Sequence, residues 1–179
     1  MIDTSRMLPV NRINSTTADQ SIEMQRLVIE ARSFFDDQSR CLPVAGMHLA
    51  WGFAKVALFL VSFSDEMGLD SQVWVVVGDV PPAILNGEIC PNALEAFEGY
   101  VGELQAWIDA VRAGTPIHDL MPLIDPERKQ SIPPTSENAD LVERRVRFIE
   151  SNIMGPFMEQ LQLSQYLKDE EQQDSMIQD

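Results

Sequence analysis

An α+β fold, with a small antiparallel sheet of about three strands packed against three main helices, is what this sequence predicts, and three observations predict it. Gln72-Val73-Trp74-Val75-Val76-Val77 places three consecutive valines in one run, and β-branched side chains lose rotamer freedom in a helix but sit well on a pleated surface. Val56 to Phe63 is apolar on both of its faces, the pattern of a strand covered on both sides. Beyond these runs, apolar residues recur at helical spacing after Asn92 and again after Thr135.

Taken in order, the chain opens on polar, aperiodic residues through Thr17, which read as a mobile leader over 1–17 with Thr17 as a helix N-cap. Ile22, Leu27, Val28, Ala31, Phe34 and Phe35 then make the apolar stripe of a first helix that closes near Ser39. Residues 44–63 are ambiguous, because Met47, Ala50, Trp51, Ala54, Leu58 and Val61 also satisfy a helix. Gly52 weakens that helix, and the Val73–Val77 strand needs partners. An antiparallel hairpin of Val56–Phe63 with Gln72–Val77, through a loop at 64–71 that contains Gly68, is therefore expected, with Val44–Trp51 as a third strand.

The paired prolines Pro81 and Pro82 lack the ladder donor and are expected to end the sheet, with a loop running on to Cys90. Asn92 and Glu95 have capping-box spacing, and Leu94, Phe97, Val101, Leu104, Trp107, Ile108 and Val111 form one stripe ended by Gly114 and Pro116. Residues 117–134, broken by Pro122, Pro126, Pro133 and Pro134, read as an extended surface connection. Thr135 caps a last helix with Leu141, Val142, Val146, Ile149 and Ile153 on its apolar face, and Gly155-Pro156 should kink or break it. The body thus spans 18–163 as one domain, followed by an acidic tail over 164–179 expected to be disordered.

The formal net charge is −15. The tail holds Lys168 against Asp169, Glu170, Glu171, Asp174 and Asp179, and the leader holds Arg6 and Arg12 against Asp3, which leaves −12 on the body. Such a body repels phosphates and anionic lipid, which excludes nucleic acid and membrane surfaces as expected partners and favours a basic protein. No secretory signal pattern opens the chain, and the longest apolar stretch, Met47 to Phe63, is interrupted by His48, Gly52, Lys55 and Ser62. The cytoplasm is the expected compartment. The two cysteines, Cys41 and Cys90, are too sparse for a disulfide framework and read as free thiols.

Cys-x-Pro-Val-Ala-Gly at Cys41–Gly46 and Val-Trp-Val-Val-Val-Gly-Asp-Val-Pro-Pro at Val73–Pro82 are followed by the helix from Ala93 and by Leu-Val-Glu-Arg-Arg-Val-Arg-Phe-Ile at Leu141–Ile149. Over roughly Arg40 to Ile153 this order resembles a family of uncharacterised bacterial proteins, of which the Gly-Asp-x-Pro-Pro strand exit is the most specific part. The resemblance implies a bacterial origin and a single domain, and it carries no activity.

Candidate chemistry is sparse. Asp79, at the strand mouth, can serve a ligand or a metal, although aspartate in such turns usually bonds nearby backbone. Cys41 or Cys90 with His48 or His118 would make a thiol and its base only if the fold brings them together. Asp65, Glu66 and Asp70 crowd negative charge into one loop that a basic partner can meet, without the ligand alternation of a calcium site. Arg144, Arg145 and Arg147 form a basic cluster that at helical spacing can grip a carboxylate or phosphate, but Glu143 and Glu150 stand near enough to neutralise it, so an ion-pair-laced face is expected. Trp51, Trp74 and Trp107 lie on apolar patterns and read as core. Gly99 and Gly102 inside a strong helix suggest close packing against the sheet or a second copy. There is no glycine-rich phosphate loop and no metal-ligand spacing, so no cofactor and no metal are expected.

Three functions are consistent with these residues. The leading one is a non-catalytic interaction protein that binds a basic partner, as an immunity or antitoxin-like inhibitor does. The second is a small hydrolase or ligand-binding domain with a pocket at the sheet end near Asp79. The third is a homodimeric module joined through the helix after Pro91.

Overall fold

The computed structural model describes residues 2–13, 18–36, 44–53, 55–64, 71–156 and 158. Its architecture is α+β, with a sheet between two helical layers. The strands are β1 (Leu8–Pro9), β2 (Val44–Phe53), β3 (Val56–Phe63), β4 (Ser71–Gly78) and β5 (Ala83–Asn86). They form an antiparallel meander in which each strand pairs with its neighbours in sequence. The helices are α1 (Ala18–Asp36), α2 (Ala93–Ala113) and α3 (Ser136–Ile149).

Val44–Phe53 and Val56–Phe63 are strand rather than helix, and β3 pairs with β4 from Val56↔Gly78 to Phe63↔Ser71. The alternation of β3 and β4 divides the core. Ala57, Phe59, Val61, Val75 and Val77 meet Leu27, Ala31 and Phe35 of α1 on one face. Val56, Leu58, Leu60, Trp74 and Val76 meet α2 and α3 on the other, through residues such as Phe97, Leu104, Trp107, Val142 and Ile149. Both faces are dry, which is why these strands read as continuous apolar runs. In β2 the register passes from Leu49↔Phe59 to Trp51↔Leu58, so Ala50 is an extra residue. This bulge turns Trp51 toward the α2 face, where its ring meets Phe97 edge-on at 5.7 Å.

The strand count departs from expectation: the sheet has five strands, not about three. β5 was hidden by the paired prolines. They do end β4, but the chain reverses over residues 79–82 and returns as a short edge strand, with Val76↔Ala83 through Val73↔Asn86. An edge strand needs ladder bonds on one side alone. β1 was hidden by its length, two residues with Pro9 at the sheet edge, paired as Leu8↔Leu49 and Pro9↔His48. Residues 2–13 are accordingly docked rather than a free leader. Ile2 is buried, and its N–H donates to Gln72 Oε1 at 2.7 Å. The Thr17 cap, the end of α1 near Ser39, the 64–71 loop beyond Ser64 and the 164–179 tail lie outside the described residues.

α2 has the expected ends. Asn92 Oδ1 accepts from Glu95 N–H at 3.0 Å, and Gly114 closes the helix at φ +67, a left-handed conformation that favours glycine. α3 is capped by Thr135, whose hydroxyl accepts from Asn138 N–H. The break foreseen at Gly155-Pro156 comes earlier, as a π-helical turn over Glu150–Met154, with residues 155 and 156 still helical. A proline ring collides with the carbonyl four residues before it, here that of Asn152, and the wider turn accommodates it.

Two buried hydrogen bonds tie α2 and its approach to the sheet. Tyr100 donates its hydroxyl to Pro81 O at 2.6 Å, and Trp74 donates Nε1–H to Cys90 O at 2.7 Å. A third constraint lies at the β3–β4 end, where Gly78 adopts φ +114 and a Cβ built there would stand 1.8 Å from Lys55 O. Gly78→Ala is therefore expected to prevent folding or lower the denaturation midpoint sharply in a urea melt. Tyr100→Phe leaves Pro81 O without its donor and should cost about 1–3 kcal/mol in the same assay. Burial also pushes the Tyr100 phenol well above its ordinary value of 10.0. The unfolded chain thus releases this proton first, so stability falls as pH rises past that value, and the variant should lose this alkaline component.

Candidate interaction surface and sheet-end cleft

The sequence-predicted site residues are scattered by the fold. Asp79 follows β4 on a bend and is half-exposed; its N–H donates to Lys55 O at 2.9 Å and its carboxylate stands 3.7 Å from Lys55 Nζ. His48 sits in β2 opposite Leu60 and Pro9, whereas Asp79 follows the Val56↔Gly78 pair at the strand end, so the two are not brought together. Among the described residues, His48 Nδ1 is buried without a hydrogen-bond partner. Cys41, Asp65, Glu66 and Asp70 lie outside the described residues. Cys90 is a buried free thiol, and burial pushes its pKa up, the opposite of thiolate activation. His118 is exposed and pairs with Asp119 at 3.1 Å. Among the described residues, no three His, Cys, Asp or Glu side chains converge to hold a metal ion.

Two surfaces emerge instead. The first is built on α2. Burying Ala96, Phe97, Tyr100, Leu104, Trp107 and Ile108 against the sheet leaves Glu95, Glu98, Glu103 and Asp109 exposed. The stripe from Glu95 to Asp109 runs about 21 Å along the helix at 1.5 Å per residue. Among the described residues no cation pairs with these four carboxylates or with Glu88. Glu95 receives Asn92 Nδ2 and Asp109 receives Gln105 Nε2, both neutral donors. Beside the stripe lies an open depression of about 480 Å³ of mixed character, lined by Leu85, Ile89, Leu120 and Met121 together with Asn86, Glu103 and Asp119. Gly99 lines it, where a Cβ would meet Cys90 Sγ at an ordinary contact distance of 3.5 Å, while Gly102 faces open space rather than a packed neighbour. Ile89, on the adjoining turn, is 76% exposed.

The second surface is a cleft of about 370 Å³ at the end of the sheet, lined by Lys55, Val56, Asp79, Arg144, Arg145 and Phe148. Next to it a groove of about 280 Å³ is lined by Pro81, Asp125, Arg128, Asn138 and Arg145, among others. Arg145 therefore stands at both. α1 also sends charge to this end of the molecule: Glu30 accepts from Arg26 and, across ninety-nine residues of sequence, from Lys129 at 3.1 Å.

The ion-pair-laced face foreseen for α3 is real only in part. Glu143 accepts from Arg147 at 3.0 Å and from Arg112 of α2 at 3.1 Å, and Arg112 also reaches Asp140 at 2.9 Å. Arg144 donates to Asp140 O, and Arg145 makes no hydrogen bond and no ion pair among the described residues. Sequence spacing showed which carboxylates are near on the helix, but not that Arg112 would engage Glu143 from another helix.

Compared with protein-family models, curated proteins and solved structures, the chain matches none.

The Arg112 guanidinium beside Glu143 holds that carboxyl below its ordinary value of 4.5. A depressed carboxyl contributes stability that is present above the ordinary value and lost as pH falls through the folded one. Arg112→Gln should therefore flatten the acid limb of a urea-midpoint profile taken from pH 7 downward, and leave the shape above pH 6 unchanged.

Proposed function

We propose that this chain is a non-catalytic interaction protein that binds a basic protein partner through α2, in the manner of an immunity or antitoxin-like inhibitor acting in the bacterial cytoplasm. The observation that carries this reading is the carboxylate stripe Glu95–Glu98–Glu103–Asp109, without cation partners among the described residues, beside a depression that holds Leu85, Leu120, Met121 and the exposed Ile89. An apolar centre with a charged rim is the anatomy of a protein interface. Carboxylates that already hold cations gain little from a new one, whereas these are unmatched and face outward together.

Charge of one sign over such a length steers an oppositely charged partner and raises its association rate, an effect that salt weakens. The candidate groups named from the sequence are not assembled into one site: Cys90 is buried with its pKa pushed up, and His48 and Asp79 stand at different places on the sheet. No helix among the described residues is long and apolar enough to cross a membrane.

The test is capture by the tagged full-length chain from native lysate at low and high salt, repeated with Glu98→Lys/Glu103→Lys/Asp109→Lys. The expected result is a basic protein held at low salt, with association slowed about tenfold or more by the triple reversal and unaffected by Glu127→Lys/Glu137→Lys, exposed positions in the segment before α3 and in its first turn. Binding indifferent both to salt and to the α2 reversal would sink the proposal.

A further inference from the structure

The sheet-end cleft is independent of the acidic stripe, being built from β3, β4 and α3. In a molecule of net charge −15, three cations converge there against one carboxylate. Lys55 is half-engaged by Asp79 at 3.7 Å, Arg144 gives only its Nε to a carbonyl, and Arg145 is unengaged among the described residues. A further carboxylate, Asp125, lines the adjoining groove with Arg145 but makes no ion pair with it among the described residues. The remaining walls are apolar: Val56 is buried in the core and Phe148 packs against it. The frame is stiff, because the Asp79 N–H···O Lys55 bond and the close approach at Gly78 lock the two strand ends together.

We propose that this cleft binds a small molecule carrying an anionic headgroup, carboxylate or phosphate, on a compact apolar body, with Arg145 as its principal anchor and Arg144 and Lys55 in support. A guanidinium presents paired N–H donors that match either headgroup in a fork, and the partly buried Phe148 offers a face to the apolar part. The volume suits a small ligand. A polyanion such as nucleic acid would bring many charges against the acidic body, whereas a small anion meets the local cations with little of that repulsion.

Isothermal titration of the full-length chain at low ionic strength with phenyl phosphate, benzoate, inorganic phosphate and benzyl alcohol tests the assignment. The expected result is saturable 1:1 binding of at least one aromatic anion, with the tighter of the two identifying the headgroup. Inorganic phosphate should bind about tenfold more weakly, and benzyl alcohol should not bind. Arg145→Gln should weaken the aromatic anion about tenfold or more, the loss of one charge-assisted bond. Arg145→Lys should fall between, and Lys55→Gln, on a different element, should cause a smaller loss. Arg112→Gln should have no effect, with circular dichroism confirming that every variant is folded. Absence of saturable binding by both aromatic anions would overturn the proposal, as would binding that Arg145→Gln leaves unchanged.

Discussion

The hydrogen bond from the Tyr100 hydroxyl to Pro81 O is the contact on which most of this architecture rests. Two prolines follow β4, and neither can donate to a ladder, so the chain leaves the sheet with a buried carbonyl that needs a partner. α2 supplies it. At the far side of β5, Trp74 supplies the same service to Cys90 O. The segment between Pro81 and Cys90 is thereby held at both ends, β5 lies flat against β4, and α2 begins where its capping Asn92 can act. Burying Tyr100 with Phe97 and Leu104 also settles which side of α2 meets solvent, so that one internal contact orients the acidic stripe.

Charge is then distributed by packing rather than by composition. α3 carries both signs at close spacing and neutralises most of itself, with help from Arg112 across the helix pair. α2 carries carboxylates on its outer side and offers its one arginine to α3, so its stripe stays unmatched. The consequence is two surfaces of opposite character on one small domain: an acidic helix face, and a sheet end where cations outnumber carboxylates.

How much of this was legible in the sequence depends on the range over which each feature is decided. α2 and α3 were read correctly because caps, stripes and the stop at Gly114 are local, and β3 and β4 because valine runs with two dry faces are distinctive. β5 was missed because Pro81 and Pro82 announce the end of a strand without showing that the chain turns back. Docking of residues 2–13 was missed because two strand residues have no period. The pocket expected near Asp79 has a counterpart in the sheet-end cleft, but its leading residue is Arg145, which spacing had assigned to an ion-paired surface. Glu143 was near enough in sequence to neutralise it. Glu143 takes Arg147 at the i, i+4 spacing legible in the sequence, and the packing of α2 on α3 adds Arg112, which leaves Arg145 over.

The meander has a consequence for the way the chain is made. From β2 onward every strand pairs with the next one in sequence, so each of these hairpins can close as soon as its second strand has been synthesised. Local pairing of this kind lowers the entropy lost on closing each loop and favours rapid folding. The exception is the face of β3 and β4 that awaits α2 and α3. Until residues 93–149 emerge from the ribosome, Leu58, Leu60, Trp74 and Val76 have no cover, and this half-built sheet is the species most prone to aggregate during synthesis.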